Sequence, residues 1–493
     1  MRFRSAIALA LTAGCSAVCA LLLIASPQQT LAQSGAATGE WSRPLPISGA
    51  LPGSWYPSVA VTDDGIITVV WTSTQNNQDT IFLTQKNAVA WSRPIDILIG
   101  GRHADLRLDG RNLLHLLYGA GGGVWASDAP VEKATTVNNW NEPLQLSRLP
   151  SVTGEFLTSA DGNLHALWQE QDSTQKTGQV IYNQSVDSGA TWDMTRIVGE
   201  NALENSRARL TRGADGTLYA LWGTRSIKTK SNGIEINVST SNGDIWQDTP
   251  NALALTDADI LQPALAVDKN NALVLVYNFG VKDETFFQIS TDRGATWSEQ
   301  QAIPGLFATN PATGNDYFAV ANDSAGIVHL VAVGRKSKDQ PAPGLYHLTW
   351  DGARWSAPQE LYQAGNFIEF PDVFISNGNR LHVVFSTRSR NQLSGAPDES
   401  YQVWYTEAVT DAPAATRVPL PTLTPQPTAT RTIEASAEPT RRPTATRIPL
   451  EKTDDTAALA TVDPLTPLIA AIVPVVLLLV IVLVFTFVLR MRR

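Results

Sequence analysis

The stretch STDRGATW at residues 290–297 is where the fold can be read first. SVDSGATW at 185–192 follows the same rule, S-x-D-x-G-x-T-W, with Ser185 and Ser290 opening the motif. STSNGDIW at 239–246 keeps Ser239, Gly243 and Trp246 but carries Ser241 in place of the aspartate, and LTWDGARW at 348–355 keeps only Gly352 and Trp355. These residue types suit a turn. Asp187 and Asp292 can accept backbone N–H groups within it, and Gly189 and Gly294 can take backbone angles that other residues resist. Trp192 and Trp297 can pack over the outer edge of a sheet. Copies recurring at a spacing of about fifty residues mark a structural repeat.

Outward from the octapeptide the rest of the unit appears. An apolar strand ends at Trp71, Tyr118, Trp168, Trp222, Tyr277, Ala332 and Phe385, seven times with a period close to fifty. Ahead of it lies another strand and a tight turn, such as Asp161-Gly162, Asp215-Gly216 or Asn377-Gly378, the strongest short hairpin signals. After it come a polar loop, a third strand (QVIYNQS, IEINVST, FFQIST), the octapeptide turn and a fourth strand that starts at its tryptophan. Four antiparallel strands repeated seven times predict an all-β fold, a β-propeller of seven four-stranded blades. Six blades is the alternative, if the irregular second unit, with ASDAPVEKATTVNNW at 126–140, merges with the first. The seventh unit lacks its tryptophan strand, and WSRPLPIS at 41–48 stands alone at the other end. This N-terminal strand is expected to complete the last blade and leave no open edge.

The ends set the expected address. Arg2 and Arg4 precede an apolar run over 6–24, and Thr30-Leu31-Ala32 offers small residues for cleavage, so residues 1–32 read as a signal peptide. The propeller is assigned to 40–410. Residues 411–466, rich in Pro and Thr with no aromatic residue, read as a disordered stalk. Residues 467–489 read as a transmembrane helix, since 468–489 carries no charge and is long enough to cross a bilayer. Arg490, Arg492 and Arg493 in the tail 490–493 are expected to stay cytoplasmic, which places the propeller outside the cell membrane, on what is expected to be a bacterial surface. A net charge of -9 argues against nucleic acid as a partner, and the only two cysteines, Cys15 and Cys19, lie in the N-terminal run. His115, His165, His329 and His382 share one position in the second strands, one per blade. They are too far apart to share an ion, so they are expected in the core, and no metal or other cofactor is expected.

The octapeptide resembles the Asp-box, or BNR repeat, of the sialidase/neuraminidase superfamily. That resemblance implies a propeller, and Asp-boxes also occur in propellers without enzyme activity. Sialidases carry a Phe/Tyr-Arg-Ile-Pro motif near the start, an arginine clamp for the substrate carboxylate, a tyrosine nucleophile with a glutamate partner and an aspartate acid/base. Here the only Arg-Ile-Pro is 447–449, within the stalk, and the blade count is seven where sialidases have six. Any site is expected on the face opposite the octapeptide turns. Arg225, Arg335 and Arg388 each fall there three residues after a unit marker, with Arg102, Arg207 and Arg390 near the same face. Guanidinium groups suit an acidic ligand. Glu155, Asp316 and Glu369 lie near first-strand starts, with Tyr56, Tyr317 and Trp55. Tyr317, Glu369, Glu155 and Asp316 are the candidates for a tyrosine nucleophile and its carboxylates.

Three functions follow as expectations. The first is a surface-displayed module that binds glycans or surface proteins. The second is an exo-glycosidase of sialidase type acting on acidic sugars, and the third is a structural scaffold.

Overall fold

The structure, a computed structural model, describes residues 39–417 and Leu420, except 52, 150, 160, 172–176, 204–206, 226–231, 256–259, 280–281, 310–317, 365 and 390–400. The expected signal peptide and transmembrane segment lie outside the described residues. Among the described residues no helix is long and apolar enough to cross a membrane.

Seven four-stranded antiparallel sheets follow one another along the chain and form a seven-bladed β-propeller. The blades span residues 54–99, 102–145, 151–203, 209–254, 260–307, 318–362 and 367–409. The second unit is a blade of its own. Gly123–Pro130 is its third strand, two short 3-10 turns follow, and Leu144–Gln145 is a two-residue fourth strand, so the six-blade alternative is excluded. A single bridge between Ala202 and Thr224 joins blades 3 and 4.

The N-terminal strand closes the ring as expected. Leu45 and Pro46 pair with Tyr405 and Trp404 of blade 7, and Trp41 bridges Ala408. Backbone bonds from Gly39 to Val409 (2.7 Å), Ser42 to Glu407 (2.8 Å) and Ile47 to Val403 (2.9 Å) extend the join. The fold continues past the expected boundary at 410. Residues 411–417 cross the face that carries the 1–2 hairpins: Ala415 N donates to Asn377 O at blade 7, and Arg417 pairs with Asp63 at blade 1 (3.3 Å) and donates to Leu108 O at blade 2. Leu420 N reaches Gly110 O of blade 2.

The core lies between blades. Each apolar cluster joins facing sheets, as where Tyr219 and Leu221 of blade 4 meet Leu265, Leu275 and Tyr277 of blade 5. The second strands are buried on both sides, which explains their continuous apolar runs. Inside the perfect octapeptides the expected bonds are present. Thr191 N and Oγ1 donate to Asp187 (2.8 and 2.6 Å), and Thr296 does the same to Asp292. Where the aspartate is missing, Ser241 Oγ accepts Ile245 N (2.7 Å), and in blade 6 Asp351 accepts two backbone N–H groups.

The tryptophans do more than cover their own blade. Four of them pack toward one equivalent third-strand position of the preceding blade. Trp246 meets Tyr182 edge-on (4.9 Å), Trp355 meets Phe287 (5.9 Å), Trp91 meets Tyr405 (5.1 Å), and Trp41 meets His347 (5.1 Å). The turns also reach the preceding hairpin, with Ser188 Oγ on Asp109 (2.9 Å) and Arg293 on Asp215 (3.7 Å). The octapeptide turn therefore staples one blade to the next.

The four histidines are buried, as expected. Three hydrogen-bond a hairpin residue of their own blade, His329 with Asp323, His165 with Ser159 and His382 with Ser376, and His115 Nε2 lies 3.2 Å from Asp109. Among the described residues no group of three or more His, Cys, Asp or Glu could hold a metal ion.

Candidate functional site: the mouth of the central channel

The first strand of each blade is the innermost, so its channel-side edge has no strand partner and its N–H groups need other acceptors. At one ring position these acceptors are side chains of the preceding blade. Asp372 of blade 7 accepts Val59 N of blade 1 (3.1 Å), and Ser58 accepts Leu106 N of blade 2 (3.1 Å). Asp105 accepts Phe156 N of blade 3, and Glu155 accepts Leu210 N of blade 4 (2.7 Å). In the next two blades the same ring position holds Ala264 and Ala319.

Arg107 sits among these carboxylates, 2.9 Å from Asp105, 3.8 Å from Glu155 and 3.9 Å from Asp372. Burial works against its charge, but Asp105, Asp372 and Glu155 outweigh it and its pKa lies above the ordinary value. Arg209 reaches from Glu155 (3.5 Å) across the channel to Phe318 O (3.2 Å). This ionic plug narrows the channel to a gap of about 20 Å³, below which it widens into a cavity of about 450 Å³.

Above the plug the first strands of blades 7, 1 and 2 each carry a bulge, where the register slips between Glu369 and Asp372, Trp55 and Ser58, and Arg102 and Asp105. The residues inside these bulges are Phe370 (φ 51), Tyr56 (φ 54) and His103 (φ 51). Bulky residues rarely occupy this left-handed region, and strain of this kind gathers at functional sites. The bulges turn the rings toward one another. Tyr56 lies 4.7 Å from His103 and 5.0 Å from Phe370, and Trp55 stands 4.9 Å from His103. Arg207 donates to Gly154 O (3.0 Å) and lies over the Tyr56 ring at 5.1 Å.

The structure gathers some expected residues here and disperses others. Tyr56, Trp55, Arg207 and Glu155 meet at the mouth, and Arg102 begins the blade 2 first strand with its side chain exposed. Glu369 is buried and pairs with Arg388 at 2.7 Å, and Glu155 is paired with Arg107 and Arg209. Arg335 is held by Ala308 O, Lys338 O and Asp283, in the loops of blades 5 and 6. Arg335 and Arg388 thus have separate partners. Arg225 ends the second strand of blade 4, and its side chain lies outside the described part. Asp316, Tyr317 and Arg390 lie outside the described residues.

Sequence reasoning missed Arg107, Arg209, Asp105 and Asp372 as one group. The signal available was a charge at the same register in the first strands of blades 2, 3, 4 and 7, namely Asp105, Glu155, Arg209 and Asp372.

No family model matches the chain, and no curated protein matches it. Solved structures do. A polysaccharide lyase, an ulvan lyase bound to a GlcA–Rha3S unit, aligns with TM-score 0.52 at 11% identity, covering 78% of this chain and 97% of that one. A Trypanosoma rangeli sialidase covers 72% of this chain and 54% of that one, at TM-score 0.39 and 11% identity. The NanB sialidase of Streptococcus pneumoniae covers 74% and 69%, at TM-score 0.42 and 11% identity. At such identity the lyase shows the shared fold alone. The class defined here is a seven-bladed propeller with a plugged channel and an aromatic, arginine-flanked mouth.

Proposed function

We propose that this chain is a carbohydrate-binding propeller that takes an acidic glycan across the channel mouth. The observation that carries this reading is the set Phe370, Tyr56 and His103, three rings held in left-handed backbone at equivalent bulges of adjacent blades. Sugar rings stack on aromatic faces, and a guanidinium beside them suits a carboxylate or sulfate. Arg207 supplies that charge, and the plug beneath keeps the ligand above the ring. A structure of this fold that binds a uronic-acid polysaccharide supports the glycan class by analogy only.

Binding is favoured over hydrolysis because Glu155 and Glu369 are each engaged by arginine. The octapeptide turns fit the Asp-box reading. In the same proposal, residues 1–32 direct export and 467–489 anchor the chain in a membrane, with the mouth presented outside.

Titration calorimetry with uronate- and sialate-bearing oligosaccharides tests the site. Arg207→Ala and Tyr56→Ala are expected to weaken binding by about tenfold or more, the worth of a charge-assisted bond or a stacking ring. Unchanged affinity in both variants would sink the mouth as the site. Turnover of an aryl-sialoside would move the reading to hydrolysis.

A further inference from the structure

The interface between blades 3 and 4 breaks a pattern that the other blades keep. The third-strand residue paired with each second-strand marker (Trp71, Tyr118 and their counterparts) belongs to the side of the blade that meets the preceding one. It is Phe82, Trp125, Ile181, Phe286, Tyr346 or Trp404 in six blades, and Glu235 in blade 4. The facing fourth-strand position of the preceding blade changes with it. Leu98 of blade 1 shares a cluster with Trp125 of blade 2, and Tyr362 of blade 6 meets Trp404 of blade 7 at 5.0 Å. In blade 3 the same register position is Gly199. The edge of Trp222 lies against it, where a Cβ would stand 2.2 Å from the ring.

A glycine and a carboxylate thus replace the apolar pair of the other interfaces, and a groove of about 600 Å³ opens there. Its walls carry Glu200, Glu235, Asp244 and Asp248. The one basic wall residue among the described ones, Arg196, is held by Asp193 (3.8 Å) and Gly243 O (3.2 Å). Asp244 accepts Gln184 Nε2 (2.8 Å), whereas neither Glu200 nor Glu235 has a basic partner among the described residues. Burial holds the Glu235 carboxyl above its ordinary range, and the charge of Glu200 adds to this. Ile197 and Ile245 line the same groove with exposed side chains, and Met194, two residues before Arg196, is exposed as well. Exposed apolar groups gathered at a polar groove mark a contact surface.

We infer that this groove docks a lysine-bearing segment of a partner protein. The lysine ammonium neutralises Glu235 and Glu200, and its aliphatic stem takes the space that an aromatic ring fills in other blades. Apolar neighbours of that lysine cover Ile197 and Ile245. An organic cation fits better than a metal ion, because the carboxylates among the described residues form no group that could hold one. The groove shares no lining residue with the gap at the channel mouth, so occupancy of one leaves the other open.

The test uses the full-length chain and two peptides, acetyl-Leu-Lys-Leu-amide and its analogue with norleucine in place of lysine, followed by saturation-transfer NMR and titration. The lysine peptide is expected to bind and the norleucine peptide to bind about tenfold more weakly or not at all. Glu235→Phe installs the residue type of blades 1 and 5, fills the groove and is expected to abolish binding. Glu200→Gln changes an exposed side chain, is expected to weaken binding severalfold, and serves if the first variant folds poorly. Equal binding of the two peptides, or unchanged affinity in both variants, overturns the proposal. Binding of 1,5-diaminopentane as tight as that of the lysine peptide makes the groove a small-amine site and overturns the protein partner.

Discussion

At the scale of single residues, the most consequential group is Arg107. Its guanidinium is the common partner of Asp105, Glu155 and Asp372, and all three of those carboxylates also hold backbone N–H groups of the following blade. Removing it leaves like charges facing one another inside the ring. Arg107→Leu is expected to cost about 3 kcal/mol, the lower end for a broken buried pair because the side chain keeps some solvent contact. Urea unfolding of the variant measures it. The octapeptide aspartates act more locally. Asp187 accepts from Ser185, from Thr191 N and from Thr191 Oγ1, whereas Ser241 in the degraded copy holds Ile245 N with one hydroxyl. Asp187→Ala is therefore expected to cost about 1 kcal/mol and Asp187→Ser clearly less, read from paired thermal melts.

At the scale of elements, the clasp is the feature on which closure depends. Residues 45–46 cover only part of the outer edge of Gln402–Val409, and the flanking bonds at Gly39, Ser42 and Ile47 extend that cover. A chain lacking residues 39–48 would present that strand with a free edge, the geometry that invites pairing with another copy. The expected outcome is a lower melting temperature together with concentration-dependent oligomers on size exclusion. A monomer of unchanged melting temperature would show that the clasp is dispensable. The segment at 411–417 adds a second tie on the hairpin face, where Arg417 joins blade 1 to blade 2.

At the scale of the whole molecule, the buried histidines give the propeller an acid limit. Burial lowers His165 to about 4, with Arg212 adding to the effect against Asp161. Burial lowers His382 to about 3, helped by Arg380 and Lys86. The folded state holds both neutral, while the unfolded chain takes up a proton at each near the ordinary value of about 6.5. Their stabilisation is therefore complete above that pH and is lost as the pH falls toward 4 and 3, at about 1.4 kcal/mol per pH unit for each histidine. Urea midpoints between pH 7 and pH 4.5 should fall accordingly, and His382→Gln should flatten the slope. A slope unchanged by that substitution would contradict this account. The hairpin and turn carboxylates Asp109, Asp187 and Asp323 have lowered values in the fold. They lose their contribution in the same direction at still lower pH.

Much of this architecture was determined by the sequence alone, because each cue acts over a few residues. The Asp-Gly turns, the alternation of strand and turn, the tryptophan that precedes each fourth strand by a few residues and the orphan segment at 41–48 dictate blades and closure without knowledge of the neighbours. Even the six-blade alternative came from one segment, 126–140, where a third strand and two 3-10 turns share a polar run. The mouth was only half legible. Tyr56, Trp55, Glu155 and Arg207 could be placed near it from strand order. Which arginine meets which carboxylate depends on atoms brought together from blades 7, 1, 2, 3 and 4, hundreds of residues apart in the chain. The tertiary structure alone decided that Arg107 plugs the channel and that Arg335 and Arg388 turn to separate partners. It alone aimed the bulged rings of Phe370, Tyr56 and His103 at one another. The physical reason is that turn and strand preferences are local, whereas side-chain pairing around a ring depends on register between strands that only closure brings into contact.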